Sequence, residues 1–261
     1  MFKSGAITQY IDVAQLVLYT FWIFFAGLVI YLRREDKREG YPLESDRTER
    51  APRVAVVGYP NLPTPKTFLL DHGEGTVSVP NASVDRRPIA AAALWGHPGA
   101  PLEPTGDPMG AGVGPGSWAE RANVPDLTLE GQPKIVPMRV VPEFFIPSQD
   151  PNPVGMRVLG ADGVEGGFIN EVWIDRSEPQ IRYLGVSVAN GSRTVLLPIV
   201  FARIDGRWKH VYVRAILGHQ FANVPAHANP DQVTRLEEDR ISAYYGGGML
   251  YATAARSEPL L

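Results

Sequence analysis

The longest unbroken feature of the hydrophobic pattern lies near the amino terminus. Val13 to Leu32 reads VAQLVLYTFWIFFAGLVIYL, twenty residues without a charge. At about 1.5 Å per residue such a run covers the roughly 30 Å hydrocarbon core of a bilayer once, which predicts a membrane-spanning helix. Tyr10, Tyr19, Trp22 and Tyr31 include rings near both ends, where amphipathic aromatics prefer to lie. A cleaved signal peptide would carry a shorter apolar run and a small-residue cleavage site, whereas this one ends in Tyr31-Leu-Arg-Arg34. A soluble core helix would show a polar face. Arg33, Arg34, Lys37 and Arg38 follow the run at once and only Lys3 precedes it, so the body is expected on the cytoplasmic side and the amino terminus in the periplasm.

Beyond the span the pattern changes twice. Residues 33–53 mix seven basic and six acidic residues, a solvated extension and linker at the membrane surface. From Val54 to Pro153 periodicity is sparse: Arg53-Val-Ala-Val-Val is a short apolar stretch, and Gly75-Thr-Val-Ser-Val alternates as a strand does. Residues 96–117 hold twelve Gly or Pro, which argues against regular helix or sheet there. Trp95, Met109 and Trp118 nevertheless favour an ordered, extended surface against a partner over a solvated linker.

From about Gly155 come short runs rich in β-branched and aromatic residues: Met156-Arg-Val-Leu, Gly167–Asp175, Ile181–Val188, Thr194–Ile199 and Trp208–Arg214. Ala161-Asp-Gly, Ala189-Asn-Gly and Ile204-Asp-Gly part them, predicting a small antiparallel β-barrel. A helix is then expected over Val233–Tyr245, capped by Asn229 with Pro230 and Gln232, and stopped by Gly246-Gly-Gly. The fold class is a membrane-anchored, mainly β protein. Its parts are a tail (1–11), a transmembrane helix (12–32), a charged juxtamembrane segment (33–53), an extended region (54–153), a barrel with its terminal helix (154–246) and a carboxy-terminal tail (247–261).

Composition narrows the function. The formal net charge is −3, so no general basic field invites nucleic acid. The chain has no Cys, which excludes disulfides, thiolate metal sites and a Cys nucleophile. His72, His97, His210, His219 and His227 are scattered, with no HExxH motif or tight carboxylate cluster. Ser117 lacks a Gly-x-Ser-x-Gly elbow, and Gly110-Ala-Gly-Val-Gly lacks the following Lys-Ser/Thr of a phosphate loop. Asn190 reads better as a turn than as a glycosylated residue. No site of specific spacing supports an anchored enzyme.

One constellation carries chemistry. Alternation puts Glu171, Trp173 and Asp175 on one face of a strand, with Val172 and Ile174 on the other, and Glu178 in the turn that follows. Carboxylates that are close and partly desolvated can share a proton and titrate near neutrality, as a proton relay requires. The ordinary alternative is a solvated turn.

Several stretches resemble the H subunit of the purple-bacterial photosynthetic reaction centre. They are Phe21-Trp-Ile-Phe with Ala26-Gly-Leu, Arg38-Glu-Gly-Tyr-Pro-Leu-Glu44, Pro65-Lys-Thr-Phe68, Thr105-Gly-Asp-Pro-Met109, Gly114-Pro-Gly-Ser-Trp118, Lys134-Ile-Val-Pro-Met138, Val172-Trp-Ile-Asp175, Leu196-Leu-Pro198 and Leu236-Glu-Glu-Asp239. They run in family order over nearly the whole chain. The resemblance implies a single span, a middle region ordered against the L and M subunits, and a PRC-barrel at the carboxy-terminal end. It implies an accessory subunit, not an enzyme, in a bacterial inner or chromatophore membrane. That subunit would cap L and M, shield the secondary quinone site and conduct protons to it.

Under this resemblance Glu178 matches a buried glutamate near the secondary quinone pocket, and Asp175 and Arg182 match its charged neighbours. The family takes up protons at surface histidines shortly before the Lys-Ile-x-Pro-Met motif. Here that segment, Asp126-Leu-Thr-Leu-Glu-Gly-Gln-Pro133, has none, which leaves Asp126 or Glu130 as substitutes. No cofactor is implied on this chain. Bacteriochlorophyll, bacteriopheophytin, quinones, non-haem iron and carotenoid are implied on L and M, with antenna polypeptides, a cytochrome subunit and membrane lipids as further partners. The rival reading is a membrane-anchored PRC-barrel binding or assembly module without proton transfer. Its barrel would resemble the carboxy-terminal domain of a ribosome-maturation factor and should show a basic face, which net charge does not favour.

Overall fold

The computed structural model describes residues 7, 11–45, 54–81, 85, 87–189, 191 and 193–257. Most of the 1–11 tail, residues 46–53 of the charged segment with Arg53 of the apolar stretch, Asn190 of the expected turn and residues 258–261 lie outside them. The chain divides into two compact units, residues 1–84 with 95–100 and residues 85–94 with 101–261.

In the first unit, helix α1 spans Val13–Glu35. Asp12 accepts from the Gln15 backbone N–H at 2.8 Å and Gln15 reaches back to the Asp12 N–H, a capping box that fixes the first turn. No residue of α1 is buried, and its mean hydropathy over the best window is 2.1. Its length and composition make it a candidate membrane span. Thr20 is its internal polar group, and its hydroxyl donates to the Leu16 carbonyl at 2.8 Å.

Lys37, just past α1, is 1% exposed. Its ammonium donates to the carbonyls of Val57 at 2.7 Å and Pro60 at 2.6 Å and lies 5.3 Å from the Tyr41 ring. These acceptors replace part of the water that a buried ammonium loses, and they tie the helix exit to the loop around Gly58. Two ribbons complete this unit: β1 (Leu43–Glu44) with β2 (Ala55–Val56), and β3 (Lys66–Leu69) with β4 (Thr76–Val79). Strand β4 falls on the alternation read at Gly75-Thr-Val-Ser-Val.

The second unit begins with a ribbon of β5 (Ala91–Ala93) and β6 (Leu102–Pro104), so the Gly/Pro tract contains one short strand and a single 3-10 turn at Gly114–Gly116. Trp118 stacks between two guanidinium groups, Arg87 at 3.9 Å and Arg240 at 4.4 Å from its ring, which anchors a segment with little regular structure.

The core sheet follows. Its strands are β7 (Ile135–Pro137), β8 (Arg157–Leu159), β9 (Glu165–Asp175), β10 (Gln180–Val188), β11 (Thr194–Pro198), β12 (Ala202–Asp205) and β13 (His210–Val213), in the order β11-β10-β9-β8-β13-β12, with β7 also on β9. The pairings are antiparallel except β8 with β13, which is parallel and so departs from an all-antiparallel reading. Long β9 keeps β10 along one edge and shares the other between β8 at its start and β7 at its end. Val158, Ile169, Leu184, Val186, Val195, Leu196, Leu197 and Val211 are fully enclosed.

Helix α2 covers Arg235–Tyr251 and corrects the expected helix at both ends. Thr234, not Asn229, is its cap: the Thr234 hydroxyl accepts from the Glu237 N–H, and Glu237 accepts from the Thr234 N–H at 2.8 Å. Asn229 instead closes a turn onto the Asp231 N–H at 2.8 Å. Gly246-Gly-Gly does not stop the helix. A Cβ at Gly246 would fall 2.8 Å from the Pro115 carbonyl oxygen, at Gly247 3.2 Å from the Gly116 Cα, and at Gly248 2.5 Å from the Ala215 carbonyl oxygen. The glycines are a smooth face where backbone meets backbone.

Candidate functional site

The predicted carboxylates gather where β9 ends. Trp173 and Asp175, on the face expected, pair with Pro137 and Ile135 of β7. Val172 and Ile174 turn to the opposite side, but Trp173 and Asp175 are also buried, so both faces of this strand end are covered.

Asp175 is 2% exposed, and its carboxylate is held on both oxygens. Oδ1 accepts from the backbone N–H of Ser177 at 2.8 Å and of Glu178 at 3.1 Å, folding the turn around it. Oδ2 faces the Lys134 ammonium at 3.9 Å. That ammonium lies 3.6 Å from Oδ2 of Asp126. One cation thus joins the acid named as a relay group to an acid named for proton uptake, although 49 positions of sequence separate them. The joining is tertiary. Lys134 N–H donates to the Asp126 carbonyl at 2.8 Å, Arg176 N–H to the Lys134 carbonyl at 2.9 Å, and the Arg235 N–H at the start of α2 to the Val124 carbonyl at 3.0 Å. Exposure of the side chains falls along the line from 47% at Asp126 through 26% at Lys134 to 3% at Asp175.

The other predicted residues lie around this line. Glu178 is exposed on this chain by itself, and accepts from the Gln180 side chain at 3.2 Å. Arg182 is exposed at the bulge between Ile181 and Tyr183, and its positive charge is felt by Glu238 and Tyr183. Glu130 is exposed in the turn Thr128–Gly131, where its own backbone N–H and the Thr128 hydroxyl hold its carboxyl below the usual range. Glu171 does not join Asp175 but has a cation of its own. Arg139 Nε lies 2.8 Å from Glu171 Oε1, and Arg139 Nη2 lies 2.5 Å from Asp231 Oδ1. Burial pushes the Glu171 carboxyl above its ordinary value against the pull of Arg139, and the nearby Asp231 charge adds to the rise.

Sequence reasoning missed Glu238. It projects from α2, where burial raises its carboxyl, and the Tyr183 hydroxyl donates to it at 2.8 Å. Asp126 repels it and Arg182 attracts it, so it belongs electrostatically to the same group. Its place in Leu236-Glu-Glu-Asp239 gave no sign which of three acids turns inward. Arg139 and Asp231 were missed too, since 92 positions separate them and no local pattern marks either. Among the described residues no group of three or more His, Asp or Glu is arranged to hold a metal ion.

Two family descriptions match this chain. The photosynthetic reaction centre, H-chain N-terminal region, matches residues 5–140, just over half of the sequence. The PRC-barrel domain matches residues 148–220, the stretch from before β8 through β13. The chain therefore belongs to the photosynthetic reaction-centre H-chain family, an H subunit with a PRC-barrel domain that associates with the L and M subunits of a membrane-bound complex.

Proposed function

We propose that this subunit caps L and M on the cytoplasmic side, seals the secondary quinone pocket from bulk water, and passes protons toward that quinone. The observation that carries the proton role is the line Asp126–Lys134–Asp175, which runs from a half-exposed carboxylate to a buried one across a single ammonium. Asp126 faces water and takes up the proton. Lys134 holds two carboxylates close without their mutual repulsion expelling either. Asp175 receives the proton, and its turn presents Glu178 outward toward the partner subunits, where Glu178 hands it on. Each transfer needs hydrogen-bond reach or one intervening water, which the surfaces of L and M would enclose. Arg182 and Glu238 set the charge of the surroundings. Arg33, Arg34, Lys37 and Arg38 at the exit of α1 support the cytoplasmic placing of the body. Membership of the H-chain family fits a subunit that does not itself hold pigment, and the pigments, quinones and iron are assigned to L and M.

The test is flash-driven proton uptake in purified reaction centres carrying Glu178→Gln or Asp175→Asn. Uptake coupled to the second electron should slow while the first electron transfer keeps its rate. Wild-type rates for both steps in both variants would reduce the subunit to a structural cap.

A further inference from the structure

The segment from Pro225 to Gln232 touches β9 at Trp173 and α2 at Glu237, and Ala226, Ala228, Asn229, Pro230 and Asp231 are exposed. His227 is the residue that turns inward. Its ring meets Trp173 edge to face, centroids 5.4 Å apart at 86°, and its Nδ1 is buried without a hydrogen-bond partner. Trp173 Nε1 is likewise buried and unpartnered. At its far end the segment is held by Arg139, which donates to the Pro230 carbonyl at 2.8 Å and pairs with Asp231, while the same guanidinium holds Glu171. From α2, Glu237 accepts the Ala228 N–H at 2.7 Å.

We infer that His227 is a positioning residue: its neutral ring seats residues 225–232 on Trp173 and so keeps Asp231 on Arg139 beside Glu171, and a proton on the ring unseats the segment. An imidazolium has an N–H on both nitrogens, and buried Nδ1 offers that second N–H no acceptor, so the charged ring is stable only once the segment lifts into water. Burial already lowers the proton affinity of His227, and the charge of Glu237 only partly restores it. Lifting takes Asp231 from Arg139. Glu171 then loses a repelling neighbour, gains the whole guanidinium and becomes more acidic. A proton bound at His227 is thereby coupled to a proton released at Glu171. The groups facing this switch are Glu237 from α2, Glu171 on β9, and Arg139 and Asp231. That a proton released at Glu171 enters the traffic toward the quinone adds Glu171 to the relay proposed above and rests on that reading, whereas the seating does not.

The test is hydrogen exchange read by mass spectrometry on intact reaction-centre complexes, following the amides of residues 226–232 after correction for chemical exchange. Between pH about 6.5 and 5.5, exposure of these amides in wild type should rise by up to about tenfold, the limit for one proton taken up on opening. In His227→Phe, which keeps a ring on Trp173 and cannot be charged, the rise should vanish. Asp231→Asn should raise exposure at every pH and leave the wild-type pH dependence in place. A rise in His227→Phe equal to wild type, or a flat wild-type profile, overturns the seating. Flash-induced proton uptake in Glu171→Gln separates the two readings: an unchanged rate beside an intact exchange profile means that Glu171 takes no part in proton uptake and leaves the seat standing.

Discussion

Asp175 is the residue most exposed to loss of a partner. Its side chain is almost wholly enclosed, and Lys134 is the cation within 4 Å of it. Lys134→Met keeps the length of the side chain and removes the charge, leaving a buried carboxylate supported only by two backbone N–H groups. We expect a loss of about 2–4 kcal/mol at pH 7, read from chemical denaturation of the full chain in detergent. Unchanged stability would mean that water already compensates Asp175. Glu238 gives the opposite case. Its carboxyl is raised in the folded chain, so the stability it contributes is fully present below the unfolded value near 4.3 and is lost as pH rises through the higher folded value. Glu238→Gln keeps an acceptor for the Tyr183 hydroxyl and does not titrate. The variant should therefore gain stability relative to wild type as pH goes from about 4 to 8, in a denaturation series across that range. A constant difference would show that Glu238 is not desolvated.

Helix α2 separates two readings of glycine. If Gly246-Gly-Gly stopped the helix, Gly248 would lie beyond its end and alanine there would meet no packing penalty; inside a helix alanine is the better former by about 1 kcal/mol. The helix instead runs through them to Tyr251, and a Cβ at Gly248 would meet the Ala215 carbonyl oxygen at 2.5 Å. Backbone cannot yield as a side chain end can. Gly248→Ala should lose about 1–3 kcal/mol despite the propensity gain, measured as a shift of the thermal midpoint. At the other end, Thr234→Ala removes one half of the capping box and should cost about 1 kcal/mol, while Asn229→Ala should leave α2 unaffected. Equal effects at Thr234 and Asn229 would restore the earlier start.

For the whole molecule, the two compact units differ in what holds them. The enclosed hydrophobic cluster runs from Ile135 to Tyr245, entirely within the second unit. Helix α1, the candidate membrane span, contributes no buried residue. A chain lacking residues 1–35 should therefore keep the near-ultraviolet dichroism of buried Trp173 and Tyr245 and lose its partition into membranes. Collapse of that dichroic signal would mean that residues 1–35 are needed to form the core of the second unit.

The elements whose physics is local were legible from the order of residues alone. An uncharged run long enough to cross a bilayer makes α1 whatever surrounds it, and alternation with Asp-Gly turns marks β9, β10, β11 and β13. Acids at the end of β9 were also visible, because alternation and the turn place Glu171, Asp175 and Glu178 without reference to anything distant. Pairing across the chain was decided by tertiary structure. The parallel contact of β8 with β13, the choice of Thr234 over Asn229 as a cap, and the use of three glycines as a packing face depend on what comes to lie opposite each. The site follows the same division. Sequence offered a row of carboxylates on one face, and the folded chain separated them, giving Asp175 to Lys134 and Asp126, Glu171 to Arg139 and Asp231, and Glu238 to Tyr183. Charge placement depends on burial and on partners remote in the chain, and neither quantity exists until the fold has formed.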